Sequence, residues 1–158
     1  MKRLKLAIFN ALASNARLVA MVGNPLAISS AWPASDVGYS DVPANIDDYT
    51  ALAPVEVPRA RITFVLISPL KDIDLPTRDD TFQIDVWSPS AELTEAIVTE
   101  LETALDQDAA RRAGRALPVL AIPSGRITET YCTRGPDLYE FDTRIFHTPT
   151  NLRVLWNP

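Results

Sequence analysis

The stretch TFQIDVWSPSAELTEAIVTELETALD, residues 81–106, decides the fold. Its first six residues alternate between polar and apolar side chains, which is the pattern of a β-strand with one buried face. The side chains that point to one face of this strand are Phe82, Ile84 and Val86. Those that point to the other face are Gln83, Asp85 and Trp87. The pattern predicts a strand whose first set faces a core.

The second part of the same stretch predicts an amphipathic helix. Ser88 is expected to be the N-cap and Pro89 the first helical residue, because these residue types favour a helix start. Apolar residues then recur at helical spacing, at Leu93, Ile97, Leu101, Ala104 and Leu105. The acidic residues expected on the solvent side are Glu92, Glu95, Glu102 and Asp106. The stripe predicts a helix packed on the sheet.

The rest of the chain predicts more strands than helices. ARITFVLIS (60–68) predicts a buried strand, and PLKDIDLPTRDD (69–80) a charged turn that completes a hairpin with the strand after it. Further strands are predicted in LPVLAI (117–122), GRITETYC (125–132), DLYEFDTRIF (137–146) and NLRVLW (151–156). The order of elements predicts an α+β fold, an antiparallel β-sheet with an N-terminal helix and a central helix packed on one face.

Two segments outside this framework shape the domain organisation. The N-terminal region predicts a helix to Ala13, a break at Ser14-Asn15 and a short helix that ends at Gly23. Residues 24–58 contain five prolines and no sustained periodicity, which predicts a long Pro-rich loop or arm. Residues 1–158 are predicted to form a single domain.

The first residues also match the start of a secretion signal, since Lys2, Arg3 and Lys5 precede an apolar run. Polar residues interrupt that run at Asn10, Ser14, Asn15 and Arg17, so it contains no continuous apolar span. An amphipathic helix at the start of a soluble, cytosolic protein is the favoured interpretation, and no membrane association is predicted.

Composition excludes several functional classes. The net charge of −5 and the isoelectric point near 4.8 argue against a protein that grips nucleic-acid phosphates. The single cysteine, Cys132, excludes an internal disulfide framework and a cysteine-built zinc site. None of the common catalytic or phosphate-binding motifs occurs. The lone histidine, His147, lacks a recognisable nucleophile nearby in sequence, so no catalytic residue, cofactor or metal is predicted.

The candidate functional residues are therefore surface contacts. In the Pro-rich loop they are aromatic, and in the 69–80 turn they are charged; Trp87 lies on the polar side of its strand. The set is Trp32, Tyr39, Tyr49, Asp72, Asp74, Arg78, Asp79, Asp80 and Trp87. The alternative for the loop is that it wraps its own domain, and for the turn that it is a solvated tip. Trp87 is equally compatible with a place in the core. The acidic turn lacks the ligand order of an EF-hand.

Three stretches resemble the tail-completion, or tail-terminator, proteins of long-tailed bacteriophages, also called head–tail joining proteins. They are IFNALASNARLVAMVG (8–23), residues 81–106 with their strand, Trp-Ser turn and helix, and GRITETYCTRGPDLYEFDTRIFH (125–147). Together they cover roughly half to two-thirds of the chain. The long insertion at residues 24–58 departs from the shorter connection of that family.

The resemblance implies a structural virion protein with neither enzymatic activity nor a cofactor. It implies a homo-oligomeric ring, commonly a hexamer, that caps the tail tube at its head-proximal end and stops tube polymerisation. The implied partners are the tail tube protein and a head–tail connector or stopper protein, with DNA only as cargo passing through the lumen. Such a protein is assembled in the host cytoplasm and ends in the tail or neck of the virion. The alternatives are a neck or head-completion adaptor, a tube-like subunit, or, in another class, a small cytosolic enzyme or ligand-binding domain.

Overall fold

The computed structural model describes residues 2–31, 38–70, 76–118 and 120–158. The helices are α1 (Lys2–Ala13), α2 (Ala16–Val22), α3 (Ala91–Leu105) and α4 (Gln107–Arg112). The strands are β1 (Ile28–Ser29), β2 (Arg61–Leu70), β3 (Arg78–Ser88), β4 (Arg126–Arg134), β5 (Leu138–Glu140) and β6 (Ile145–Asn157). Short 3-10 helices lie at Pro25–Ala27 and Tyr49–Ala51.

The strands form one sheet in the order β1-β2-β3-β6-β4, and β5 pairs with β6 beside β4. Every pair is antiparallel except β1 with β2, which is parallel. The predicted α+β class is confirmed. The expectation of a purely antiparallel sheet is wrong, because Ile28 and Ser29, inside the segment expected to be irregular, pair with the start of β2.

One face of the sheet carries the core. Phe82, Ile84 and Val86 of β3 are fully buried, as their alternation predicts, and Leu152 and Val154 of β6 lie beside them. The predicted stripe of α3 is confirmed: its large apolar side chains, Leu93, Ile97, Leu101 and Leu105, are all fully buried. The apolar side chains of the alternating strand and of the periodic helix therefore pack together in a single layer.

The start of α3 differs from the prediction. Ser90 is the N-cap, and its hydroxyl accepts a hydrogen bond from the backbone N–H of Leu93 at 3.1 Å. Ser88 is instead the last residue of β3, opposite Phe146, and its hydroxyl donates to the carbonyl of Arg59 at 3.1 Å. Pairing with β6 thus extends β3 to Ser88, the residue that the local sequence favoured as the helix N-cap.

The end of α3 also differs. Asp106 was expected on the solvent side of the helix, but the helix ends at Leu105 and Asp106 is buried as the N-cap of α4. Helical periodicity places a residue on a face only while the helix continues.

The predicted break between the first two helices is confirmed. Asn15 caps α2 by accepting from the backbone N–H groups of Arg17 and Leu18 at 3.0 and 3.1 Å. Gly23 ends α2 in the left-handed region with φ of +86°. Within the described residues no single helix is long and apolar enough to cross a membrane; α1 and α2 satisfy that test only together, and they bend by 78° at their break.

The described C-terminal residues form three strands where the sequence predicts four, and the bounds of these strands differ from the prediction. Neither 117–118 nor 120–122 is part of a strand, so the strand expected in LPVLAI is not found there. The single strand expected over 137–146 is divided into β5, a turn at 141–144 and the start of β6. β6 then continues through the predicted 151–156 strand for 13 residues.

β6 contains a proline, Pro149, between the two strands that the sequence predicts. A proline lacks the N–H of a ladder hydrogen bond and normally interrupts a central strand. Here the pairing of β6 with β5 ends at His147, and its pairing with β4 begins at Thr150. The Pro149 carbonyl, which points to the same side as its nitrogen, accepts from Gly135 N–H at 2.8 Å. Among the described residues, the missing N–H of Pro149 therefore leaves no strand carbonyl without its donor.

Both strands of the hairpin extend into the predicted 69–80 turn. Arg78, Asp79 and Asp80 belong to β3, and Leu70 belongs to β2. The described parts of the 24–58 segment are tied to the domain: Val55 N–H donates to the Gly23 carbonyl at 3.0 Å, and Asn24 Nδ2 donates to the Glu56 carbonyl at 3.0 Å. The expectation of a segment without secondary structure is wrong where β1 and the 3-10 helices lie.

Candidate functional site

The sheet face that points away from α3 carries a compact polar group, here called the open-face cluster. Its members come from β2, β3 and β6: Thr63, Gln83, Asp85, Trp87 and His147. They share a face because cross-strand partners project to the same side of a sheet, Thr63 opposite Asp85 and Trp87 opposite His147. Gln83, Asp85 and Trp87 alternate along β3 and so point to that same side.

Asp85 lies at the centre of this cluster. Its side chain is 1% exposed, and Oδ1 lies 2.7 Å from His147 Nε2. Gln83 Nε2 donates to the same carboxylate at 3.0 Å. A buried carboxylate requires such partners, because an unpaired charge out of water is strongly unfavourable. The carboxylate therefore holds the imidazole in one orientation.

Trp87 covers the imidazole. The indole and the His147 ring are stacked, with centroids 4.0 Å apart and planes 10° from parallel. The indole N–H donates to Thr63 Oγ1 at 3.1 Å. In the described residues, no hydroxyl or thiol is hydrogen-bonded to His147. The cluster thus joins three strands through a stacked and hydrogen-bonded unit, and sequence reasoning missed it because Asp85 and His147 are far apart in the chain.

The predicted contact residues of the Pro-rich segment are dispersed. Tyr39 lies against Arg61, whose guanidinium carbon is 5.5 Å from the ring centroid. Burial raises the pKa of the Tyr39 hydroxyl, against an opposing effect of the Arg61 charge. Tyr49 is half-buried and packs against the core. Trp32 lies outside the described residues.

The described members of the predicted charged turn are engaged within the chain. Both oxygens of Asp79 accept from Arg153 Nε at 2.9 Å, and this contact raises the pKa of the Arg153 guanidinium. Asp80 is buried, and its Oδ2 accepts from the Trp156 indole N–H at 2.7 Å. The Arg78 guanidinium lies 5.4 Å from the centroid of the Trp156 ring. Asp72 and Asp74 lie outside the described residues.

A second polar centre that the sequence did not indicate surrounds Glu100 on α3. This buried carboxylate accepts from Arg115 Nη2 at 2.6 Å and from Asn15 Nδ2 at 3.0 Å. Arg17 approaches its other oxygen at 3.9 Å. The contacts join the break between α1 and α2 to α3, so they hold the helical layer together.

Cys132 is poorly suited to be a reactive centre. Burial raises the pKa of the Cys132 thiol far above its ordinary value, and the charges of Asp106 and Glu102 raise it further, so the thiolate that nucleophilic chemistry requires is disfavoured. Over the described ranges, no three His, Cys, Asp or Glu side chains are grouped so as to hold a metal ion.

Comparisons with known proteins give a similarity of structure. No protein-family model matches the chain, and no curated protein matches it. A solved chain of the "Virion of native gene transfer agent (GTA) particle" is similar in structure, with a TM-score of 0.64 and 15% sequence identity. The similarity covers 99% of this chain and 96% of that chain. The two chains share a fold over their full lengths.

Proposed function

We propose that this chain is a structural component of a phage-like virion, and that within it the chain is the tail terminator. The observation that carries the proposal is the end-to-end structural match to a virion chain of a gene transfer agent. The resemblance of three separate stretches to tail-terminator proteins supports the finer assignment. A fold alone admits many functions, so the finer assignment requires its own test.

The architecture is suited to a ring. Rings form when two different patches on each subunit bind head to tail and the rotation closes. The sheet has two different edges, β1 at one side and β4 with β5 at the other. In the proposal, copies of the chain form a homo-oligomer, a hexamer by analogy with the resembled family, which binds the tail tube protein on one side and a connector or stopper protein on the other.

The charge of the chain fits a DNA-conducting neck. A net charge of −5 produces a potential that repels DNA phosphate and allows passage without binding. Asp79 and Asp80 are paired within the chain, which leaves Asp72 and Asp74 as the acidic residues to test. The variant Asp72→Asn/Asp74→Asn should assemble normally if these residues line the lumen. Loss of assembly would assign them to subunit contacts instead.

Disruption of the gene in a strain that produces the particle tests the assignment. A terminator predicts DNA-filled heads and detached tails longer than those of the parent strain in electron micrographs. Detached tails of normal length indicate a neck adaptor, and absent tails indicate a tube subunit. Particles of normal form and infectivity or transfer activity contradict the proposal, and so does the absence of the chain from purified particles by mass spectrometry.

A further inference from the structure

The turn between β5 and β6 carries an exposed aromatic group, here called the aromatic hairpin (residues 138–146). Phe141 is 84% exposed at its tip. Its ring packs edge-on against Tyr139, with centroids 5.1 Å apart and planes at 82°. The ring centroids of Tyr139 and Phe146 are in turn 4.7 Å apart. Single exposed apolar residues are ordinary, but a connected aromatic projection is typical of an interaction site.

Local hydrogen bonds hold this projection in one conformation. Arg144 adopts φ of +57°, and its N–H donates to the Glu140 carbonyl at 2.8 Å. The Thr143 hydroxyl donates to the Glu140 carboxylate at 3.0 Å. A turn that is closed in the free subunit loses little conformational entropy on binding, so Phe141 is presented as a preorganised knob.

A groove on the opposite side of the molecule has complementary chemistry. It lies between α1 and the β1–β2 edge, has a volume of about 390 Å³, and is here called the α1 groove. Its apolar lining comes from Leu6, Phe9, Ile28 and Phe64, and Lys2 and Lys5 lie at its rim. Leu6 is 55% exposed although it is a large apolar side chain on a helix. The groove can receive an aromatic side chain.

The register places the groove and the base of the aromatic hairpin at opposite edges of the sheet, in adjacent rows. Ile28 pairs with Ile62, Ile62 with Val86, and Val86 with Thr148. In the adjacent row His147 pairs with Leu138 of β5. Four strand spacings separate β1 from β5, about 19 Å. Phe141 lies beyond these rows, because β5 runs from Leu138 opposite His147 to Glu140 opposite Ile145, so the contact requires a neighbouring copy that is displaced along the strands.

We infer that the aromatic hairpin of one copy inserts Phe141 into the α1 groove of a second copy. Charge supports this occupant: the hairpin carries Glu140 and Asp142 against a single Arg144, whereas the rim of the groove carries Lys2 and Lys5. In the described residues neither lysine makes an ion pair. The contact joins different patches, so it propagates head to tail and is the geometry from which a closed ring is built. It deepens the proposed function by naming the surfaces that join its subunits.

The test uses the full chain and two disabling variants. Phe141→Asp removes the knob and leaves the groove, while Leu6→Glu blocks the groove and leaves the knob. Both positions are exposed, so both variants should keep the circular dichroism spectrum and unfolding midpoint of the unchanged chain. The matched control is Tyr131→Ala, an aromatic truncation on β4 outside both patches. Self-association is measured by sedimentation velocity and native mass spectrometry.

The expected result has three parts. The unchanged chain and Tyr131→Ala form the same closed multimer, and each disabling variant associates at least about 10-fold more weakly, as for an interface anchor. An equimolar mixture of Phe141→Asp and Leu6→Glu forms a 1:1 dimer and nothing larger, because only one intact knob and one intact groove remain. Lys5→Glu and Asp142→Lys each weaken assembly, and their combination in one chain restores it.

Three outcomes overturn the inference. They are a chain that stays monomeric up to about 1 mM, disabling variants that assemble like the control, and a mixture that forms no dimer. Failure of the proposed function is seen separately, since it is decided by whether the chain is found in particles and by the tails of the disrupted strain. If the chain is present in particles but Phe141→Asp and Leu6→Glu leave its self-association unchanged, only this inference is contradicted.

Discussion

The carboxylate of Asp106 joins the corner between α3 and α4 to the backbone of Cys132 on β4. Its Oδ2 accepts from the Cys132 N–H at 2.7 Å, and its Oδ1 accepts from the N–H groups of Asp108 and Ala109 at 2.8 and 2.9 Å. β4 is an edge strand, and edge strands present unpaired donors that promote aggregation. One carboxylate therefore caps a helix and covers an outward N–H of the sheet edge.

Asp106→Ala should destabilise the fold by about 2–4 kcal/mol, because it removes an N-cap and leaves the Cys132 N–H without its partner. The measurement is equilibrium unfolding in urea. Asp108→Ala is the control: Asp108 is exposed and, in the described part of the chain, its carboxylate pairs with Arg111 one turn later, so this substitution should cost less than about 1 kcal/mol. Equal losses for the two variants would contradict the role assigned to Asp106.

Gly23→Ala should be more damaging than Gly114→Ala, although both glycines have positive φ, of +86° and +65°. A Cβ at residue 23 would lie 2.5 Å from Val55 Cγ2 and 2.9 Å from Arg59 Nη1, whereas no atom of the described residues lies within 4 Å of one at residue 114. The left-handed conformation alone costs about 1–2 kcal/mol, and the crowding at residue 23 adds to it.

Thermal unfolding of the two glycine variants measures this difference. We expect Gly114→Ala to lower stability by about 1 kcal/mol and Gly23→Ala by at least twice as much. A similar shift for both would mean that Val55 and Arg59 move aside without cost, and that the connection between α2 and residues 55–59 is not closely packed.

The elements that the sequence predicted correctly are those specified locally. The alternation of Phe82, Ile84 and Val86, and the stripe that includes Leu93 and Leu101, each identify an element and its buried face without long-range information. The boundaries were less accurate, because strand pairing decided them: Ser88 is in a strand because Phe146 lies opposite. The continuity of β6 through Pro149 could not be predicted locally either, since the position of this proline between two partner strands is a property of the sheet.

The polar centres could not be predicted from one sequence for a similar reason. Asp85 and His147 are separated by 62 positions, and only the pairing of β3 with β6 brings them together. Asp79 and Asp80 suggested a charged tip by composition, yet Arg153 and Trp156 of the last strand engage them. Asp106 immediately precedes a short helix, which is the position of an N-cap. In the sequence it also continues the row of acidic residues on α3, and this favoured a place on the solvent side of that helix.

The pair of Asp85 and His147 should behave as a coupled unit. His147→Ala leaves a buried carboxylate with Gln83 as its remaining partner and should cost about 2–4 kcal/mol. Asp85→Ala should also destabilise. The double variant should cost less than the sum of the single ones by at least about 0.5 kcal/mol, because no charge is then left uncompensated. A double-mutant cycle by urea unfolding measures this coupling, and strict additivity would contradict it.

The ion pair between Arg134 and Glu95 should make stability depend on acidic pH. Arg134 Nη1 donates to Glu95 Oε1 at 2.8 Å, and this hydrogen bonding, reinforced by the Arg134 charge, lowers the pKa of Glu95 below its ordinary value of 4.5. A lowered pKa in the folded state contributes stability above the unfolded pKa, and that contribution is lost as pH falls through the folded pKa.

Arg134→Met should therefore cost about 0.5–1 kcal/mol near pH 7, a modest value because Glu95 is largely exposed, and much less near pH 3. Urea unfolding of both chains across this pH range measures the difference. Arg126→Met, at an exposed position of the same strand without an ion pair in the described residues, is the control and should show no such convergence. Asp137 also contacts Arg134, and its pKa is lowered, chiefly by the Thr148 hydroxyl, so it adds to the effect in the same direction. A pH-independent cost of Arg134→Met would show that the side chain stabilises the fold by packing and not by its charge.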